Sequence, residues 1–147
     1  MSRLPFALAT AFLLVATLAA QQAPPAPKSG PYAAIPADAA KQPNPVKSSP
    51  ESLDRAQKSW TMDCSMCHGK DGDGKGSLAT DMKLKIAPLT DPNTLKDRTD
   101  GELFYLIKNG YQDMPPEGER VKLQENWDLV NYVRSLAKTQ SASAQKP

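Results

Sequence analysis

The chain is poor in the groups that most metal and acid–base sites draw on. Its 147 residues include two cysteines, Cys64 and Cys67, and a single histidine, His68. A structural zinc site needs four ligands, and a second Cys or His pair is missing. Aromatic residues make up only 6% of the chain. That is low for a self-sufficient core, so a bound apolar group is expected to supply the missing bulk. The formal net charge is +2 and no basic cluster stands out, which argues against nucleic acid as a partner. The apolar run from Phe6 to Ala20 has 15 residues, short of the roughly 20 of a comfortable membrane span. No alternating strand pattern follows residue 49, so the folded part is expected to be all helical.

What the chain does have is concentrated. Both cysteines and the histidine fall in one stretch, Cys64-Ser65-Met66-Cys67-His68. A Cys-x-x-Cys-His run is the attachment signal for a c-type haem. Two thiols three positions apart on one helical turn can each add to a porphyrin vinyl group. The next residue then aims an imidazole nitrogen at the iron from the same side. A thioredoxin-type redox pair would need a βαβ surround, which the flanks lack. A plain disulfide gives no reason for a histidine directly after the second cysteine.

Residues 1–20 read as a signal peptide. Arg3 is the short positive start, and Ala16-Thr17-Leu18-Ala19-Ala20 offers small residues for cleavage. An uncleaved membrane anchor is the alternative. Export suits the motif, because covalent haem attachment of this kind in bacteria takes place outside the cytoplasmic membrane, and it predicts a periplasmic location. Residues 21–49 hold Pro24, Pro25, Pro27, Pro31, Pro36, Pro43 and Pro45 among Ala, Gln, Lys and Ser. This predicts a disordered or polyproline II linker, a passive spacer or a tether. The linker carries Lys28, Lys41 and Lys47 against Asp38, whereas residues 50–138 carry 13 basic and 15 acidic side chains, net −2. The folded part therefore has a weak preference for basic partners.

The domain is expected over residues 50–138. Ser49 followed by Pro50 predicts an N-cap and first helical position, and Leu53, Ala56, Trp60 and Cys64 share one helical face. Trp60 reads as a core anchor. The run Gly69-Lys70-Asp71-Gly72-Asp73-Gly74-Lys75-Gly76 predicts a loop bending close to something large. It invites a calcium-loop reading through Asp71, Asp73 and Gly76. Lys75 stands where a third oxygen is needed and Met82 where a bidentate Glu belongs, so that reading fails. Residues 77–98 look irregular, with Leu84, Ile86 and Leu89 lining one haem edge. Thr99-Asp100-Gly101-Glu102 is a capping-box pattern opening a helix that Gly110 stops. The sequence does not choose whether Phe104 and Tyr105 flank haem or core. A last helix resumes around Leu123 with Leu129, Val130, Val133, Leu136 and Ala137 in one stripe. Residues 139–147 read as a flexible tail.

A haem held by His68 has a second iron face to fill. With no other histidine, two imidazoles from this chain are excluded. Of five methionines, Met1 goes with the signal, and Met62 and Met66 sit on the proximal segment. Met114 is preferred over Met82 because Pro115 and Pro116 stiffen the chain behind it. Met82 and an open site are the alternatives. A soft sulfur ligand favours Fe(II) and raises the potential relative to two imidazoles.

From about Ser49 to Lys138 the chain resembles a single-haem class I cytochrome c domain of exported bacterial form. The resemblance rests on the attachment motif, the glycine run after it, Glu102-Leu103, Ile107, Gly110 and Met114-Pro115, and the closing Trp127 and Tyr132-Val133-Arg134-Ser135-Leu136 segment. It implies an all-α fold around one covalently attached haem, with first and last helices crossing. Ala56 and Trp60 match the small-then-aromatic pair at that crossing, where glycine is commoner than alanine, and Tyr132 is expected opposite them. It also implies a proline whose carbonyl accepts from the second N–H of His68, for which Pro88 is the candidate.

The expected function is electron transfer with His68/Met114 ligation, between a redox-protein donor and acceptor, by a monomer without catalytic residues. A subunit of a larger periplasmic dehydrogenase or oxidase is the alternative. A haem peroxidase or ligand sensor is less favoured, since either needs an iron that opens.

Overall fold

The computed structural model describes residues 35–118 and 120–144. Among them there is no strand, and the fold is a set of helices packed round one apolar core. Helix α1 (Ala37–Lys41) precedes α2 (Pro50–Ser59), which runs without a break through a π-helical turn (Trp60–Cys64) into α3 (Ser65–His68). Short helices α4 (Ser77–Asp81) and α5 (Pro92–Leu95) follow, then α6 (Asp100–Asn109) and α7 (Leu123–Ala144). The stretch 77–98, expected to be irregular, thus contains two single-turn helices.

The local signals act as their chemistry predicts. The Ser49 side chain accepts from Ser52 N–H, with Pro50 at the first helical position. Thr99 and Glu102 form a reciprocal capping box, and Gly110 closes α6. The core gathers Ala56 and Trp60 of α2 and its π turn, Leu103, Phe104 and Ile107 of α6, and Trp127, Leu129, Val130, Val133 and Leu136 of α7. Phe104 belongs to this core, its ring stacked on Trp127 with centroids 4.0 Å apart. Ala56 leaves room for α2 to lie against α7, and the Trp60 and Tyr132 rings meet at 5.4 Å across that contact.

Polar groups are buried at the same crossing. Asp128 of α7, fully buried, accepts from Ser52 Oγ at 2.6 Å and from Arg55 Nε and Nη2 at 2.8 and 3.0 Å. Asn131 donates to Ser52 Oγ at 3.1 Å and to the Val46 carbonyl at 3.0 Å.

The expected linker over 21–49 needs correcting in its second half. Residues 21–34 lie outside the described residues, but 36–47 are folded onto the domain. Asn44 Nδ2 donates to Asn131 Oδ1 at 3.0 Å and to the Trp127 carbonyl at 3.3 Å, while its own Oδ1 accepts from Val46 N–H at 2.9 Å. Val46 packs against the core, and α1 lies on α6. At the other end α7 continues to Ala144, past the expected start of a tail at 139; residues 145–147 lie outside the described residues.

The N-terminal strap depends on one close approach. A Cβ built at Gly101 would lie 1.9 Å from the Ala39 carbonyl oxygen and 2.8 Å from that of Gln42. Gly101→Ala is therefore expected to unseat α1 while leaving the capping box of α6 in place, at a cost of about 1–3 kcal/mol. Thermal unfolding measures the cost, and hydrogen exchange should show protection lost selectively over 36–47. Unchanged exchange there would refute the strap's dependence on this contact.

Candidate haem site

The π turn delivers the attachment motif. Ser65 N–H reaches back to the Trp60 carbonyl, five residues earlier, so one extra residue is accommodated before Cys64. Trp60 is 2% exposed and its indole N–H donates to the Lys70 carbonyl at 3.0 Å. Besides Tyr132, its ring meets that of His68, at 5.7 Å between centroids. The expected core anchor is therefore also the wall against which His68 rests. The sequence signal for this was the shared helical face, which pointed only to packing.

Cys64 and Cys67 are half-buried free thiols. Cys64 packs against the core cluster. Burial, reinforced by the Glu117 and Asp63 carboxylates, pushes its thiol up to about 12. Burial likewise holds the His68 imidazole below its ordinary value. His68 Nδ1 is buried and makes no hydrogen bond with any described residue. The expected partner, the Pro88 carbonyl, accepts instead from Thr94 Oγ1 at 2.7 Å and Asp91 N–H at 3.3 Å. Both donors belong to the turn leading into α5, and no hydrogen bond joins His68 to Pro88 among the described residues.

The glycine run follows directly. Gly74 N–H donates to the His68 carbonyl at 2.8 Å and Gly76 N–H to the Cys67 carbonyl at 3.2 Å. A Cβ at Gly76 would lie 2.2 Å from the Met66 carbonyl oxygen. What the run approaches closely at this point is the motif's own backbone.

The two candidate methionines occupy different environments. Met82 is 56% exposed at the end of α4. Met114 packs against the core cluster that Cys64 also touches. Its loop is held at both ends. Tyr111 and Met114 exchange backbone hydrogen bonds of 2.9 Å each, closing a turn with Gln112 at φ 51°. Glu117 and Gly118 N–H then donate to the Ile107 and Lys108 carbonyls at 3.0 and 2.9 Å, satisfying the end of α6.

Residues 51–133 match the family model described as cytochrome C oxidase, cbb3-type, subunit III. The chain belongs to this cytochrome c family. A chain of the reducing HAO-like protein complex of Kuenenia stuttgartiensis is similar to it, with 25% identity and a TM-score of 0.52 over 63% of this chain and 46% of that one. This chain thus spans about half the length of that relative. Cytochrome cL of Methylophaga aminisulfidivorans is 23% identical over 66% of this chain and 70% of that one, with a TM-score of 0.46. Among curated proteins, none matches. The helical architecture is that of a cytochrome c domain, and the family binds haem covalently. The cytochrome's own residues fit that group: two neighbouring thiols not joined to each other, and a half-buried imidazole one residue on.

Sequence reasoning missed a charged cluster in this cytochrome domain. Glu117 is 5% exposed, and Arg120 Nη2 donates to its Oε1 at 2.9 Å. Arg120 Nη1 lies 3.7 Å from Asp63 Oδ1. Burial raises the Glu117 carboxyl above its ordinary value, with Arg120 pulling the other way. No periodicity marks a buried acid in an irregular loop; Glu117 between Pro116 and Gly118 reads as surface.

Proposed function

We propose that this cytochrome is an electron-transfer protein of the periplasm, with one haem c on Cys64 and Cys67 and His68 and Met114 as axial ligands. The observation that carries the reading is the Met114 loop, closed on itself and fastened to α6 beside the core that Cys64 contacts, while Met82 stands in solvent. When bound, the haem supplies a one-electron Fe(III)/Fe(II) couple. The chain's residues hold it, orient His68 against Trp60 and place a thioether where water or a substrate would otherwise sit. Two protein ligands leave no coordination place for a substrate, which suits a carrier. Residues 1–20 direct export, and the partners are a redox-protein donor and acceptor.

The test is the ferrous holoprotein under carbon monoxide. A reversible one-electron titration with no carbon monoxide binding at neutral pH is expected. Ready binding would mean an open iron and move the reading to an enzyme or sensor. A second reading, a subunit of a larger oxidoreductase, is favoured by the matched family's description and by the similarity to a chain of a complex. Purification from the native host decides between them: a stoichiometric dehydrogenase or oxidase partner means a subunit, and a monomer means a free carrier.

A further inference from the structure

We propose that Arg120, bridging Glu117 and Asp63, is a latch that closes the methionine loop onto the haem-attachment helix and so sets how readily Met114 leaves the iron. The proposal rests on the His68/Met114 reading above.

The latch joins two elements that carry opposite sides of the site. Asp63 lies in the π turn, immediately before Cys64. Glu117 lies on the methionine loop, separated from Met114 by two prolines that leave little backbone freedom. Glu117 is also fixed through its backbone, its N–H bonded to the Ile107 carbonyl at 3.0 Å. A force on the Glu117 side chain is therefore passed to Met114 with little loss.

The two halves of the latch differ in strength. The Glu117 carboxylate is buried, and Oε2 makes no hydrogen bond among the described residues. Among the described residues Arg120 is its one charged hydrogen-bond donor, so losing Arg120 strands a charge in a poorly solvated place. The Arg120–Asp63 pair is longer and the guanidinium is 58% exposed, so salt weakens it. With the bridge broken, the methionine loop is still fastened to α6 but loses its ion pair to the helix bearing Cys64. Separation of those two elements is the movement an incoming ligand needs.

Imidazole added to the ferric holoprotein competes with Met114, and the near-infrared sulfur–iron band reports the outcome. Arg120→Gln is expected to raise the imidazole affinity about tenfold, within the range of ordinary site-to-site coupling. Asp63→Asn should raise it about threefold, as befits an exposed pair. Arg120→Lys should restore part of the loss. Imidazole affinity of the parent protein should rise with ionic strength, and that dependence should flatten in Arg120→Gln, a response that loss of packing alone would not produce. If the parent lacks the band, the ligand reading fails and the latch with it. If the band is present but Arg120→Gln binds imidazole within twofold of the parent, the latch alone is wrong.

Discussion

Met114→Ala is expected to abolish the weak near-infrared band of the ferric protein, to let the ferrous protein bind carbon monoxide at neutral pH, and to lower the midpoint potential. The thioether is a soft, neutral ligand that favours Fe(II) over Fe(III). Its replacement by water or hydroxide removes that preference. The fall should be on the order of 0.1 V or more, within the roughly 0.8 V over which axial ligands move haem potentials. The loop itself should survive, because its closure uses backbone groups: the Tyr111–Met114 exchange and the bonds from Glu117 and Gly118 to the end of α6. Loss of the band can then be read as loss of a ligand. Met82→Ala is the control and should leave band and potential unchanged, since Met82 stands exposed beyond α4. The opposite pattern, with the band kept in Met114→Ala and lost in Met82→Ala, would transfer the ligand to Met82.

Asp128→Ala should give the largest loss of stability among polar substitutions, about 3 kcal/mol, or a midpoint lower by about 15 °C for a domain of this size. The carboxylate has no exposure to water. Its place is stable only because Ser52 and two of the three guanidinium nitrogens of Arg55 donate to it. Without it, Arg55 can turn to solvent, being 41% exposed already. The Ser52 hydroxyl instead loses its acceptor inside the crossing and a cavity opens between α2 and α7. Asp128→Asn separates the contributions: it keeps the volume and one acceptor oxygen for Ser52 and Arg55 Nη2 but turns its amide NH2 toward Arg55 Nε, and should cost roughly half as much. Denaturant unfolding of the holoprotein measures both. A loss under 1 kcal/mol for the alanine variant would mean that the network adds nothing to the apolar contact between α2 and α7.

Much of this was legible beforehand, and the parts that were not share a cause. The attachment motif, the cap at Ser49, the capping box at Thr99 and the stripe of α7 are local patterns, with donor and acceptor or apolar spacing contained within a few residues. The fold class followed from them. The strap over 36–47 was read as linker because its proline and alanine content carries no apolar period. What holds it is Asn44 against Asn131, a pair 87 residues apart, together with the absence of a side chain at Gly101. The Pro88 expectation came from resemblance, and here the competing hydrogen bonds from Asp91 and Thr94 occupy the carbonyl. Glu117, Asp128 and Asn131 are buried polar side chains; composition alone assigns such residues to the surface, and only the tertiary partners make burial tolerable.

The extra residue in the Trp60–Cys64 turn carries a consequence of phase. In an unbroken α-helix each residue advances by about 100°, and a fixed set of positions would face α7 from Pro50 to His68. The insertion sets everything after it back by roughly that angle. Ala56 and Trp60, before and at the insertion, keep the heading that the helix crossing requires, while Cys67 and His68 take a new one without a loop or a break in the rod. A single helix thus serves two facings, one for the crossing with α7 and one for Cys67 and His68. The rotation between them is held in backbone hydrogen bonding and has no signature in the spacing of the motif itself.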